Sequence, residues 1–370
     1  MKILHIGNLK SGIDTYVRNV ISYANDDFDF IIVRGADDNS APYIRNEKIV
    51  KQYTIDMYRA LNPICDLRAI IQAINIIRKE QPDLVHCHSA KGGVIGRIAA
   101  FLNGIKSVYT PHAFSYLSAE SKWKQRLYLA LERTFRLNSV LLGCSESERQ
   151  LGIEVVGYPE KKALAWKNAI PWVKLEDIEE PKGGGANERF IVSVGRPSYQ
   201  KNPHLMVEIM KRIHQKCPAV KLYIIGVGFY SPMLEDIKEL ITFYGLEKSI
   251  ILLPWQSHAE TMGYINKSEL YITTSLYEGL PIAILEAMAL GKAIVASDVI
   301  GNNDCVIDNY NGRSLKLDAD SFSNEICRLL ENSEERKRMG RNSKELFKSG
   351  FLIDLRIREL EKIYMLCMNL

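Results

Sequence analysis

The segment YEGLPIAILEAMALG (277–291) carries two carboxylates, Glu278 and Glu286, in an otherwise apolar run. A buried apolar helix excludes glutamate unless a partner holds the charge. Pro281 suits the first position of a helix and Gly291 suits its end, so Glu278 should precede the helix and Glu286 should lie one to two turns inside it. A carboxylate accepts two hydroxyl groups at once, and the amides of a helix N-terminus attract anions. The segment therefore predicts a site for an anionic diphosphate and two sugar rings.

The alternative is a structural role for both glutamates. Glu278 would then complement the helix dipole, and Glu286 would lie at an exposed helix edge. The apolar surroundings of Glu286 argue against the second of these roles.

Two cations lie in one loop after the strand-like run RFIVSVG (189–195). Arg196 and Lys201 belong to the stretch GRPSYQKNP, just before a predicted helix, and Gly195 permits a tight turn. Arginine can hold a phosphate through two parallel hydrogen bonds, and lysine adds a mobile point charge. The loop therefore predicts a diphosphate contact, with two solvated surface cations as the alternative.

Histidines follow two further strand-like runs. His86 and His88 in HCHSAKGG would share one face of a strand, but zinc needs more ligands and no third one stands at an evident spacing. We therefore expect a strand end with one histidine near a ligand, and no metal. His112 in TPHAFSY could donate to a substrate hydroxyl or a leaving oxygen, or it could structure its loop.

The turn at Ser11 and Gly12 lies between the first strand and the first helix, where the backbone can approach a ligand closely. The stretch GNLKSGIDTYV lacks the full G-x-G-x-x-G pattern, so a bound dinucleotide cofactor is poorly supported.

Short β-branched runs alternate with helical stretches in both halves of the chain, which predicts parallel sheets covered by helices on both faces. The 370 residues suggest about two domains. The polar, glycine-rich stretch KLEDIEEPKGGGANE (174–188) reads as a flexible linker between them. Ligands of such sheets bind beyond the carboxyl ends of the strands, so the loops that follow the strands should carry the site.

Composition narrows the class of protein. A net charge of +4 does not indicate nucleic acid binding, and no apolar run approaches the length of a membrane span. Seven scattered cysteines favour free thiols in a reducing cytoplasm. The opening MKILHIGNLKSG reads as a first strand and not as a signal peptide.

The stretch KWKQRLYLALERTFR (122–136) predicts an amphipathic helix with an excess of cations. We expect its apolar positions, Trp123, Leu127, Tyr128 and Leu131, to pack in the core. Its basic face would remain available to an anionic membrane surface.

Taken together, these segments resemble the retaining, nucleotide-sugar glycosyltransferases of family 4, also called glycosyl transferases group 1, above all the bacterial capsule, O-antigen and exopolysaccharide enzymes. The Glu278-to-Glu286 spacing matches the family's Glu-x7-Glu motif, and SVGRPSYQKNP, HCHSAKGGVIGRIAA and YTPHAF match its strand–loop segments. The resemblance implies a GT-B architecture, with two Rossmann-like domains facing an interdomain cleft. The implied division is an acceptor-side domain over 1–172, a linker over 173–188, a donor domain over 189–350, and a last helix over 351–370 that packs back on the first domain.

The resemblance also implies roles for single residues. Arg196 and Lys201 would bind the donor diphosphate and stabilise the departing nucleotide without a metal. Glu286 would hold the ribose and Glu278 the donor sugar. His112 would touch that sugar near the reacting centre. Further donor contacts are implied for Gly12, Gly228, Trp255, Gly279, Leu280 and Ile282.

The implied reaction moves a hexose from a nucleotide diphosphate, with UDP as the expected carrier, to a hydroxyl acceptor with retention of configuration. Enzymes of this type act on polyprenyl-diphosphate-linked sugars at the inner face of the cytoplasmic membrane, so the same acceptor and location are expected here. Ser11 stands where the family often has glycine, which leaves the contact made by this loop open. The alternatives are a nucleotide-sugar epimerase and a non-catalytic sugar-nucleotide-binding protein.

Overall fold

The computed structural model describes residues 1–60, 62–182, 188–228 and 231–370. The chain forms two compact units, one of Met1–Pro171 with Ile353–Leu370 and the other of Trp172–Leu352. The glycine-rich part of the predicted linker, 183–187, lies outside the described residues.

The first unit contains a seven-stranded parallel sheet in the order β5-β2-β1-β6-β7-β8-β9 and a two-stranded antiparallel hairpin of β3 and β4. Its strands are β1 (Lys2–Gly7), β2 (Asp29–Gly35), β3 (Ile44–Arg45), β4 (Lys48–Ile49), β5 (Lys51–Ile55), β6 (Leu84–His88), β7 (Lys106–Thr110), β8 (Val140–Gly143) and β9 (Ala163–Ala165). Its helices are α1 (Gly12–Tyr23), α2 (Pro63–Glu80), α3 (Ser89–Leu102), α4 (Lys122–Thr134) and α5 (Glu146–Leu151).

The second unit contains a six-stranded parallel sheet in the order β12-β11-β10-β13-β14-β15. Its strands are β10 (Phe190–Val194), β11 (Lys221–Val227), β12 (Ile250–Pro254), β13 (Tyr271–Thr273), β14 (Ile294–Ser297) and β15 (Gly312–Leu315). Its helices are α6 (Pro203–Lys216), α7 (Leu234–Phe243), α8 (His258–Lys267), α9 (Ile282–Ala289), α10 (Ala319–Glu331) and α11 (Ser333–Gly350).

The last helix, α12 (Ile353–Cys367), packs within the first unit. The indole of Trp166 donates to the Arg356 carbonyl at 2.9 Å, and the Tyr364 hydroxyl is hydrogen-bonded to His86 Nδ1 at 2.8 Å. The helix therefore joins the core next to β6 by polar as well as apolar contacts.

Both sheets are buried on their two faces, which explains why their strands are almost continuously apolar. In the first unit, α1 and α12 contribute to the core on one face while α2 and α3 contribute to the core on the other. The strand order reverses between β1 and β6 and between β10 and β13, and ligands of doubly wound sheets bind at such reversals. The predicted fold class, two Rossmann-like parallel α/β domains, is confirmed.

The expected packing of the basic helix α4 is partly wrong. Trp123 is 64% exposed and Leu127 is 44% exposed, while Tyr128 and Leu131 are half-buried. Glu132, which is 3% exposed, accepts from Tyr109 at 3.0 Å. The helix is thus held by a buried carboxylate near its end, so its first two turns need no apolar contact with the core.

Candidate active site

Glu278 and Lys201 form an ion pair at the carboxyl edge of the second sheet, although they lie on loops that follow different strands. Lys201 Nζ donates to Glu278 Oε1 at 2.7 Å. Ser275 Oγ donates to the same oxygen at 2.7 Å, and Gln200 Nε2 donates to Oε2 at 3.0 Å. Glu278 is 7% exposed, so these donors compensate a buried charge. Ser275 and Gln200 were not predicted; both flank predicted residues within the same two loops.

Two glycines make this arrangement possible. A side chain at Gly195, which has φ +149°, would meet the Lys201 side chain at 2.9 Å. A side chain at Gly301, with φ +82°, would meet the backbone oxygen of Glu278 at 2.7 Å. The loop after β14 therefore closes directly on Glu278, whose amide donates to the Ile300 carbonyl at 3.1 Å.

Glu286 lies on α9 and is 7% exposed, which excludes the exposed-edge alternative. Its Oε1 is 3.0 Å from Nε2 of His258, a residue that the sequence reasoning missed. The hydrogen bond to this carboxylate raises the pKa of His258 above the usual value of a histidine. The sequence feature that could have pointed to His258 is the capping box of Ser257 and Glu260. It starts α8 at His258, just after β12.

The remaining predicted donor-side residues flank these two carboxylates. Gly279 and Leu280 are buried between Glu278 and α9. The helix begins at Ile282, one residue later than expected, so Pro281 is its N-cap residue. Gly228 is exposed after β11, and Trp255 is 67% exposed after β12. Arg196 lines a small cavity together with Gly195 and Lys201.

In the first unit, His112 lies after β7 in a strained loop. His112 and Ala113 have φ of +53° and +80°, values that non-glycine residues rarely adopt in succession. His112 Nε2 is 3.0 Å from His88 Nδ1, and His112 Nδ1 is 3.2 Å from Cys144 Sγ. Both ring nitrogens therefore have protein partners, and burial lowers the pKa of His112 to about 3.

Ser11 adopts φ 54° and ψ −129°, a conformation that favours glycine. Gly12 is the first residue of α1. The residue of the first loop that adopts a backbone conformation suited to glycine is therefore Ser11 and not Gly12. Ser89, the first residue of α3, also has a positive φ of 59°, so strained backbone occurs shortly after each of three adjacent strands, β1, β6 and β7.

No sequence spacing pointed to a third histidine beside His86 and His88, but strand pairing supplies one. His5 on β1 is in register with His86, because β1 and β6 pair directly, and the ligand atoms of all three buried rings lie within 4.8 Å. These rings are engaged otherwise: His5 Nδ1 is 2.8 Å from His88 Nε2, and His86 is hydrogen-bonded to Tyr364 and Thr110. The cluster is therefore a hydrogen-bonded stack.

Comparison with known proteins shows the family. The model of Glycosyltransferase Family 4 matches residues 10–171, and that of Glycosyl transferases group 1 matches 176–346. UDP-Gal:alpha-D-GlcNAc-diphosphoundecaprenol alpha-1,3-galactosyltransferase of Escherichia coli is 30% identical over 319 residues, 83% of this chain and 81% of that protein. Capsular polysaccharide biosynthesis glycosyltransferase CapM of Staphylococcus aureus is 24% identical over 86% of this chain and 87% of that protein. The chain belongs to the group 1 glycosyltransferases.

Solved structures show the same fold over nearly the whole chain. Sucrose-phosphate synthase (tll1590) from Thermosynechococcus elongatus superposes with a TM-score of 0.84 at 18% identity, covering 99% of this chain and 98% of that one. Anabaena Alr3699/HepE in complex with UDP-glucose has a TM-score of 0.77 at 19% identity, covering 98% of this chain and 99% of that one. The fold is GT-B.

Proposed function

We propose that this glycosyltransferase moves a hexose from a UDP-sugar to a lipid-linked glycan with retention of configuration. The observation that carries the proposal is the cluster of Lys201, Glu278 and Gln200 at the strand-order reversal of the second unit. A cation and a buried carboxylate held side by side suit a ligand that carries a phosphate next to a sugar.

In the proposed reaction, the bond between the anomeric carbon and the diphosphate oxygen breaks, and a bond to the acceptor hydroxyl oxygen forms. The proton of that hydroxyl passes to the departing phosphate on the same face of the sugar. Arg196 and Lys201 stabilise the charge that develops on the diphosphate, the task that a metal ion performs in other transferases. Glu278 holds the hydroxyls of the hexose, and Glu286 holds those of the ribose.

The choice of donor rests on the relatives. The name of the Escherichia coli relative specifies UDP-Gal, a GlcNAc-diphosphoundecaprenol acceptor and an α linkage. Transfer with retention from an α-linked nucleotide sugar would give that linkage. UDP-galactose and a lipid-diphosphate-linked N-acetylglucosamine are therefore the first pair to test.

The first experiment is a thermal-shift screen of UDP-, GDP- and ADP-sugars, followed by transfer to a synthetic lipid-diphosphate-linked sugar with and without EDTA. We expect stabilisation by a UDP-sugar and an α-linked product whose yield EDTA does not change. Formation of an isomerised sugar from the donor alone would show that the protein is an epimerase and not a transferase. Donor binding without turnover across an acceptor panel would show that it is a non-catalytic binding protein.

We further propose that α4 contacts an anionic membrane surface, where a lipid-linked acceptor is located. The first two turns of the helix expose Trp123 and Leu127 beside Lys122, Lys124 and Arg126. Apolar side chains that enter the interface next to basic ones suit an anionic bilayer. Among the described helices, none has the length and apolarity needed to span a bilayer.

Vesicle co-sedimentation tests this contact. Trp123→Ser should reduce binding to phosphatidylglycerol vesicles by about tenfold, since an interfacial aromatic side chain contributes on the order of 1–2 kcal/mol. Phe243→Ser is the matched control, because Phe243 is 79% exposed in the second unit. Equal loss with both variants, or equal binding to zwitterionic vesicles, would refute the role of α4.

A further inference from the structure

A continuous chain of hydrogen bonds runs through the core of the first unit to His112. His5 Nδ1 lies 2.8 Å from His88 Nε2, and His88 Nδ1 lies 3.0 Å from His112 Nε2. His112 Nδ1 lies 3.2 Å from Cys144 Sγ, and the Cys144 thiol is in turn hydrogen-bonded to the Glu148 side chain. Three rings and a thiol thus link β1, β6 and the loop after β7 to α5.

Each ring in this chain carries a single proton at neutral pH. Burial lowers the pKa of His5 and of His112 to about 3 and holds that of His88 well below its usual value. A neutral imidazole has one donor and one acceptor nitrogen. The bonds can therefore be made in only two ways, with every proton pointing toward Glu148 or every proton pointing toward His5.

The Glu148 end selects one direction. Glu148 is 1% exposed, and its two oxygens accept from the backbone amides of Ala113 at 2.6 Å and Cys144 at 2.7 Å. Two amide donors stabilise the ionised carboxylate, which can only accept, so the thiol donates to it. The Cys144 sulfur then accepts from His112 Nδ1, as it also does from the Asn168 side chain and the His112 backbone amide.

The His5 end selects the same direction. Nε2 of His5 is buried and has no hydrogen-bond partner among the described residues. A buried N–H without an acceptor is rarer in proteins than an acceptor without a donor. Nε2 of His5 is therefore the bare nitrogen, and the proton of His5 lies on Nδ1, where it meets His88 Nε2.

We propose that His5, His88 and Cys144 are positioning residues that hold His112 in its Nδ1–H tautomer. Resting on the proposed function, this assigns Nδ1–H as the donor that His112 offers to the transferred sugar. A thiol sulfur is a weak acceptor, so a substrate oxygen can replace it at small cost. The bond from His88 to Nε2 keeps the ring oriented during that exchange.

Nitrogen-15 NMR of the labelled full-length protein tests the tautomers without any substrate. We expect the Nδ1–H pattern for all three histidines in the resting protein. An Nε2–H pattern at His112 would overturn the proposal. This readout stays valid even if no donor is ever turned over, so it can fail or succeed independently of the proposed function.

A matched pair of substitutions tests positioning. In His88→Asn the carboxamide stands where Nδ1 stood and can still donate to His112. In His88→Gln the carboxamide reaches the Nε2 position, accepts from His5, and leaves His112 Nε2 without a donor. Both variants remove the ring, so both should lower the melting temperature similarly.

We expect kcat of His88→Gln to be at least about tenfold below that of His88→Asn, because only His88→Gln loses the oriented hydrogen bond to His112. The donor KM values of the two variants should agree within about threefold. The His112 spectrum should keep its Nδ1–H pattern in His88→Asn and lose it in His88→Gln. Equal kcat and equal spectra for the two variants would show that His88 only fills space.

Discussion

Replacement of Lys201 by methionine should damage the fold of the second unit as well as the chemistry. Methionine keeps the length and apolar stem of lysine but removes the charge that faces Glu278. Lys201 is 22% exposed and Glu278 is 8% exposed at their side chains, so the carboxylate cannot simply be rehydrated. A loss of activity in Lys201 variants therefore has two sources, the missing phosphate contact and a displaced Glu278.

The size of the effect follows from the partners that remain. Removing one member of a fully buried ion pair costs about 3–5 kcal/mol, whereas losing one charged hydrogen bond costs about 1.5–3 kcal/mol. Glu278 keeps its bonds from Ser275 and Gln200, which favours the lower range. We expect Lys201→Met to cost about 2 kcal/mol, or about 4–8 °C in the melting temperature of a unit of this size.

The assay is differential scanning calorimetry of Lys201→Met, Glu278→Gln and the double variant. Glu278→Gln should cost about 1 kcal/mol, since Lys201 can reach water once its partner is neutral. The double variant should cost about 1 kcal/mol less than the sum of the single variants, because the two residues interact directly. Lys238→Met, which breaks an exposed pair with Glu235, should change stability by less than about 0.5 kcal/mol.

Additive effects of the two substitutions would contradict this reasoning. So would a Lys201→Met protein with unchanged melting temperature. Either result would mean that the contact between Lys201 and Glu278 does not contribute to stability in solution.

Three further predictions concern other sites. Ser11→Gly should raise the stability of the first unit by about 1 kcal/mol, measured by calorimetry. The relief of about 1–3 kcal/mol of backbone strain exceeds the cost of the greater entropy that glycine gives the unfolded chain. A lower melting temperature would argue against strain at this turn. The raised pKa of His258 means that its charged form binds Glu286 at acid pH and releases it as the pH rises through that pKa. Donor KM should therefore fall with rising pH, and His258→Asn should flatten this pH dependence. A pH dependence that the substitution leaves unchanged would show that Glu286 does not contact the donor. Glu132→Gln should cost about 3 kcal/mol in thermal unfolding by leaving the fully buried Arg97 without its anion, which a loss below about 1 kcal/mol would disprove.

The order of strands and helices in both units could be read from the sequence, because that order is written in local patterns. The opening MKILHIGNLKSG contains β1, the run RFIVSVG (189–195) contains β10, and the helix predicted after the GRPSYQKNP loop is α6. His112, Arg196, Lys201 and Glu278 all lie in segments that follow strands, as the geometry of parallel sheets requires. Local sterics determine the side-chain periodicity of strands and helices, so each pattern can be recognised within about ten residues.

The packing of α4 shows where this reasoning stops. Periodicity alone predicted a buried apolar face, yet Trp123 and Leu127 are exposed, and the buried carboxylate of Glu132 joins the half-buried Tyr128 in holding the helix. No local pattern distinguishes an apolar stripe that meets a core from one that meets solvent.

By itself the sequence determined which residue types stand at the carboxyl ends of the strands: a loop with two cations, two glutamates around a helix start, and histidines after neighbouring strands. Only the tertiary structure decided what these residues touch. Lys201 meets Glu278 because β10 and β13 are neighbours, and His5 meets the other histidines because β1 pairs with β6 in register. Such contacts depend on strand order and register, which arise from the packing of the whole sheet and leave no mark in the residues that lie between the partners.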